Sequence, residues 1–171
     1  LGVRRQRQMC IRDRYYRNGP DPKFPPRGGS SHWFGGDGMI HAFHISNGKV
    51  SYLNRWMRTV KWKKEHEEQK ALWSSGMDVM NNDPSVSNIE TDGLANTAIV
   101  SHAGKIFALE EAHAPFEFDQ MTLESRGSYS FNNKLQGPVT AHPKIDPITG
   151  ELLFFGYMAV SYTHLTLPTN A

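Results

Sequence analysis

Met39-Ile40-His41-Ala42-Phe43-His44-Ile45-Ser46-Asn47-Gly48-Lys49-Val50-Ser51-Tyr52-Leu53-Asn54-Arg55-Trp56-Met57-Arg58 is the stretch that decides the fold class. Asn47-Gly48 is the dipeptide best suited to a two-residue turn whose central residues take positive φ. The arms on either side, Met39 to Ile45 and Gly48 to Arg58, carry β-branched and aromatic residues, and the pattern predicts an antiparallel hairpin. In the first arm His41, Phe43 and Ile45 share one face, since side chains alternate along a strand. His41 therefore reads as a packing histidine with a local hydrogen-bond partner.

Downstream, the character changes at Thr59. From Thr59 to Trp73 the chain is rich in Lys and Glu, Trp62, His66 and Trp73 recur at roughly helical spacing, and Thr59 is a capping residue. This predicts one polar surface helix. Ser74 to Asp92, with Gly, Asn, Ser and Pro throughout, reads as a long excursion with little regular structure. Strand patterns resume at Thr97 to His102 and Lys105 to Glu110, joined through Ala103-Gly104. They continue at Phe116 to Phe118, Gly127 to Phe131 and, after the Thr149-Gly150 turn, Leu152 to Tyr157. Short strands at such regular intervals predict an all-β sandwich, barrel or propeller rather than a parallel α/β sheet. No exact repeat is visible, so blades cannot be counted from periodicity. Upstream, Tyr15 to Gly29 holds Asn18-Gly19-Pro20-Asp21-Pro22 and Pro25-Pro26 and reads as an ordered loop or wrap.

Composition narrows the possibilities further. With 171 residues, 38% hydrophobic and 11% aromatic, the chain has the length and make-up of one globular domain. The formal charge of +2 comes from a cluster near the N-terminus, where Arg4, Arg5, Arg7, Arg12 and Arg14 are opposed only by Asp13. Without that cluster the chain is slightly acidic, and nucleic acid is not expected as a partner. The single cysteine, Cys10, excludes an internal disulfide framework. There is no long apolar run and no secretory pattern at the N-terminus, so a cytoplasmic location is expected. Residues 1–14 and 159–171 read as non-native tails, with residues 15–158 as the genuine domain. His164, in the second tail, is not a candidate ligand.

Eight histidines without a CxxC or HExxH spacing exclude the familiar local zinc patterns, so any metal site has to be assembled from distant segments. The histidine whose setting suits a ligand is His142, in Gly137-Pro138-Val139-Thr140-Ala141-His142-Pro143-Lys144. Pro143 fixes its own φ and biases His142 toward an extended backbone, which aims the imidazole. A neutral imidazole nitrogen suits divalent iron, zinc or copper. Asp37, between glycines, reads as an Asx-type residue tying its own turn. His102 and His113 sit in turn-like positions and read as surface residues.

Five blocks in order carry a family likeness. His32-Trp33-Phe34-Gly35-Gly36-Asp37-Gly38-Met39-Ile40-His41-Ala42-Phe43 resembles the WFxGDGMxH signature of the carotenoid oxygenase family, which includes carotenoid cleavage and lignostilbene dioxygenases. Arg17 to Pro22, Tyr52 to Thr59, Gly93 to Lys105 and Thr140 to Lys144 resemble the family's neighbouring segments. The resemblance implies the N-terminal blades of a partial seven-bladed β-propeller. It also implies a non-haem iron, Fe(2+), held by four histidines. On that pattern His142 matches the first ligand, and the other three lie beyond Tyr157. Glu111 matches a glutamate that hydrogen-bonds a ligand histidine, while His41 is not a ligand.

The implied reaction is O2-dependent cleavage of a carbon–carbon double bond in an apolar conjugated substrate, giving two carbonyl products. Such a substrate needs an aromatic-lined tunnel with hydrophobic loops at its mouth, which leaves room for peripheral membrane contact during uptake. Stilbene-cleaving members resemble one another in a lysine one residue before the glutamate that pairs with a ligand, and here that position is Glu110. A carboxylate there repels a phenolate, so the expected substrate is a carotenoid or apocarotenoid, with a stilbene as the alternative. A non-catalytic propeller that binds partners is the reading from another class. With one ligand of four, these 171 residues alone are expected to be inactive and poorly soluble.

Overall fold

A computed structural model of the chain describes residues 12–29, 32–74, 81–157 and 165–166. Cys10, His164 and most of both terminal tails lie outside these residues. The decisive stretch forms the predicted hairpin, β2 (Gly38–Ser46) and β3 (Lys49–Trp56), with Asn47 and Gly48 at φ 51° and 72°. A further strand, β1 (Arg12–Pro20), pairs antiparallel with β2, Tyr15 opposite Phe43 and Asn18 opposite Ile40. The loop expected from Tyr15 onward is thus corrected. Pro20 can stand at the strand's last position, and the turn chemistry acts only from Asp21 on.

Helix α1 (Val60–Glu68) follows β3, as predicted, and begins where Thr59 Oγ1 accepts the Trp62 N–H at 3.2 Å. It ends earlier than Trp73 because Gln69 turns into the left-handed region, φ 55°. After it, the described part of the excursion contains one short 3₁₀ turn, Pro84–Val86, capped by Asp83.

A second antiparallel meander contains β4 (Ala98–His102), β5 (Lys105–Leu109), β6 (Phe116–Phe118) and β7 (Ser125–Ser128), hydrogen-bonded in that order. The strand expected at Gly127 to Phe131 starts sooner and stops at Ser128. Phe131, Asn132 and Asn133 all take positive φ, which no strand sustains. Two short pairs complete the described structure: β8 (Lys144–Ile145) with β9 (Leu152–Leu153), and β10 (Gly156–Tyr157) with β11 (Leu165–Thr166). The strand expected across Leu152 to Tyr157 is therefore two, serving different partners. Among the described residues no helix is long and apolar enough to cross a membrane.

Alternation along the strands assigns the faces. Ile40 from β2, Ile106 and Ala108 from β5, and Phe116 and Phe118 from β6 form one buried cluster with Met57, Ala95 and Leu123. That cluster joins the two sheets face to face. The opposite face of the first sheet carries Tyr15, Phe43, Ile45, Val50 and Tyr52, all exposed. His41 stands on this outer face, half-buried, its Nδ1 2.6 Å from Tyr52 Oη and its ring stacked on the tyrosine. It has the expected local partner, yet the core lies under Ile40 and Ala42 rather than under its own face.

The glycine-rich signature block forms the seam between the sheets. Gly38 donates its N–H to Leu94 O at 2.8 Å, and a methyl group there would overlap the Ala95 carbonyl, so the position demands glycine. Asn96 Nδ2 donates to the Phe34 and Gly36 carbonyls at 2.7 and 2.8 Å. From the other side Asn18 Nδ2 donates to Ala95 O at 2.9 Å. Asp37 is corrected from an Asx turn to a buried ion-pair partner. Its Oδ1 lies 3.0 Å from Lys61 Nζ, and that ammonium also meets Glu65 Oε2 at 2.6 Å. The carboxylate is nearly fully buried and takes its counter-charge from α1, which no local pattern announces.

Candidate metal centre

The two sequence-nominated residues, His142 and Glu111, come together on the far face of the second sheet. β5 presents Phe107 and Leu109 there, and Ala141 packs between them with Val100 and Tyr129 at the margin. Two backbone bonds fix the segment on this platform: Val139 N–H to His113 O at 3.1 Å and Thr140 N–H to Phe155 O at 2.8 Å. His142 follows immediately. Its side chain is 67% exposed, and its Nε2 lies 3.3 Å from Glu111 Oε1. The ring is thus accessible to a ligand that approaches from outside the chain, with a carboxylate beside it.

Glu111 stands two residues past the end of β5, where the chain turns toward β6. Its other oxygen, Oε2, accepts a hydrogen bond from Thr140 Oγ1 at 3.1 Å, and the same hydroxyl accepts the His142 N–H at 3.2 Å. Thr140 is buried. Sequence reasoning gave it no role, because its partner Glu111 is 29 residues away. Only the position of Thr140 two residues before the candidate ligand offered a hint.

Glu110 is bound into a different set of contacts. Its Oε2 accepts the Leu94 N–H at 2.9 Å, and its Oε1 pairs with His113 Nδ1. The expected surface role of His113 is corrected accordingly: the ring is partly buried and pairs with Glu110, and it is Glu110 that ties the β5–β6 turn to Leu94. The Glu110 hydrogen bond raises the His113 pKa above its ordinary 6.5, burial opposes this, and the charges of Glu110, Asp92 and Glu90 add to the rise. Gly93 makes room for the pair, since a side chain there would collide with both the Glu110 carboxylate and the His113 ring. His102 ends β4 opposite Lys105, half-buried, and takes no part in this site.

Chemically, an accessible imidazole beside a carboxylate can offer a neutral nitrogen to a divalent cation while the carboxylate lowers the cost of bringing that charge in. Among the described residues no group of three or more His, Cys, Asp or Glu is arranged to hold a metal ion.

Comparison with known proteins identifies the relatives of the chain. The family model of retinal pigment epithelial membrane protein, RPE65, matches residues 10–169. Isoeugenol monooxygenase of Pseudomonas nitroreducens is 40% identical over 151 residues, 87% of this chain and 31% of that protein. Lignostilbene-alpha,beta-dioxygenase isozyme III of Sphingomonas paucimobilis is 38% identical, across 85% of this chain and 30% of its own length. Carotenoid 9,10(9',10')-cleavage dioxygenase 1 of Arabidopsis thaliana is 36% identical, across 86% and 30%. Among solved structures, lignostilbene dioxygenase of Pseudomonas brassicacearum superposes with a TM-score of 0.79 at 36% identity, covering 86% of this chain and 30% of that one. A variant of Synechocystis apocarotenoid oxygenase superposes with a TM-score of 0.77 at 25% identity, covering 92% and 35%. The chain therefore spans about a third of the length of the relatives it matches. The family match runs over nearly the whole sequence and the same fold recurs in these oxygenases: the chain belongs to the RPE65/carotenoid oxygenase family.

Proposed function

We propose that this chain is the N-terminal part of a non-haem iron oxygenase that cleaves a carbon–carbon double bond of an apolar conjugated substrate with O2. Its two sheets are then the first blades of a seven-bladed propeller, with the remaining blades supplied by the length the relatives have and this chain does not. The observation that carries the reading is the approach of His142 Nε2 to Glu111 Oε1, 3.3 Å, between residues nominated from separate parts of the sequence. Fe(II) supplies the capacity to activate O2; His142 supplies one neutral donor, and the other donors come from beyond this chain. Glu111 restrains the imidazole and adds negative charge beside a cation. The O–O bond and the double bond are both broken, and one oxygen atom ends on each carbonyl carbon.

For the substrate we propose a carotenoid or apocarotenoid, on the ground that position 110 is Glu and offers no cation to a phenolate. A stilbene is the second reading, and one observation favours it. The Glu110 carboxylate is occupied by the Leu94 amide and His113, so its repulsion of a phenolate is reduced. The names of the relatives at 40% and 38% identity, isoeugenol monooxygenase and lignostilbene dioxygenase, point the same way. Incubating the complete, iron-loaded protein with an apocarotenal and with a hydroxystilbene, side by side under O2, tests both. Aldehyde products from the apocarotenal support the first reading, and from the hydroxystilbene the second. Consumption of neither, by a folded protein that binds no iron, favours a non-catalytic propeller.

A further inference from the structure

We propose that Thr140 is the positioning residue of this site, its single hydroxyl orienting Glu111 and fixing the main chain of His142 at once. The inference rests on the reading of His142 as an iron ligand. A carboxylate only accepts and a backbone N–H only donates, so the direction of both hydrogen bonds is determined. The hydroxyl donates to Glu111 Oε2 at 3.1 Å and accepts from His142 N at 3.2 Å. With Oε2 held, Oε1 is the oxygen left facing Nε2 of the imidazole.

The surroundings make this bond the coupling element. Val139 and Thr140 are pinned through their backbone amides to His113 and Phe155, and Ala141 is plugged against Phe107 and Leu109. Those contacts hold the main chain but none of them reaches Glu111. Thr140 is 2% exposed, so water does not replace the hydroxyl if it is removed. Its β-branch also restricts χ1, which keeps the oxygen aimed between its two partners.

Thr140→Val keeps the shape and deletes both hydrogen bonds, whereas Thr140→Ser keeps the hydroxyl. In the complete protein, Fe(II) affinity measured by chelator competition is expected to fall about 10–100-fold in Thr140→Val and to stay within a few-fold of the parent in Thr140→Ser. With Co(II) as a spectroscopic probe, the visible bands are expected to shift in Thr140→Val and return in Thr140→Ser. Parental affinity and parental bands in a folded Thr140→Val protein would overturn the proposal. Should Thr140→Val not fold, Thr140→Ser and Glu111→Gln carry the test. A large affinity loss in the serine variant assigns the effect to packing and overturns the proposal, while loss in Glu111→Gln with retention in the serine variant supports it. His142→Ala separates the underlying reading: iron retained there defeats the ligand assignment, whatever Thr140 does.

Discussion

At the scale of single residues, the chain pairs its charged groups both across the fold, as in Asp37 with Lys61, and within one turn, as in His113 with Glu110. His113 is a group whose protonation bears on stability near neutral pH. Its pKa is raised, chiefly by the hydrogen bond with Glu110, so the pair's contribution is complete below the unfolded value of 6.5. It is lost as the pH climbs through the raised folded value. Thermal melts of the complete protein and of His113→Gln should accordingly differ most in mildly acidic buffer and converge in alkaline buffer. A constant gap across the range would refute the pairing as a titrating interaction. His142 was readable as a candidate because it sits in a recognisable block, and Glu111 because it matches a glutamate position of the family that the blocks resemble. The partners of Asp37 and Thr140 were not, since side chains 24 and 29 residues apart have to meet before these hydrogen bonds exist.

Local chemistry that completes itself within a few residues accounts for the elements that were legible. Asn47-Gly48 and Ala103-Gly104 each supply two positive-φ residues between extended arms, and both hairpins form there. Thr59 caps α1 at the predicted position. β1 was missed because its pairing with β2 crosses the loop that carries the turn signals, and because Asn18-Gly19-Pro20 reads as a break even though the ladder reaches Pro20. Helix α1 is joined to the signature loop through Lys61, whose side chain is 13% exposed between Asp37 and Glu65. Glu65 in turn accepts the Leu72 and Trp73 amides at 2.9 and 3.0 Å, which closes the chain after the helix. Lys61→Met keeps the aliphatic stem and strands two buried carboxylates, so it should lower stability by about 3 kcal/mol in urea unfolding of the complete protein. A loss below about 0.5 kcal/mol, the range of an exposed pair, would show that the ammonium is not integral to the seam.

For the whole molecule, the two meanders share one core, and the outer face of the first sheet is left bare. Tyr15 is 60%, Val50 64% and Tyr52 52% exposed, with Phe43 and Ile45 between them. An exposed apolar face of this kind favours self-association. Expressed alone, the 171 residues should self-associate in sedimentation velocity and show no cleavage activity. A stable, monodisperse monomer would contradict that. The antiparallel class was legible from strand spacing, but which strands join which sheet was not, because the pairing of β1 with β2 and the separate partners of β9 and β10 depend on contacts that no local pattern announces. The account stands or falls on His142 as a ligand. Elemental analysis of the complete protein and of its His142→Ala variant, purified in parallel, measures this directly. Stoichiometric iron in the parent and its loss in a folded variant is the predicted result, and parental iron content in His142→Ala would contradict it.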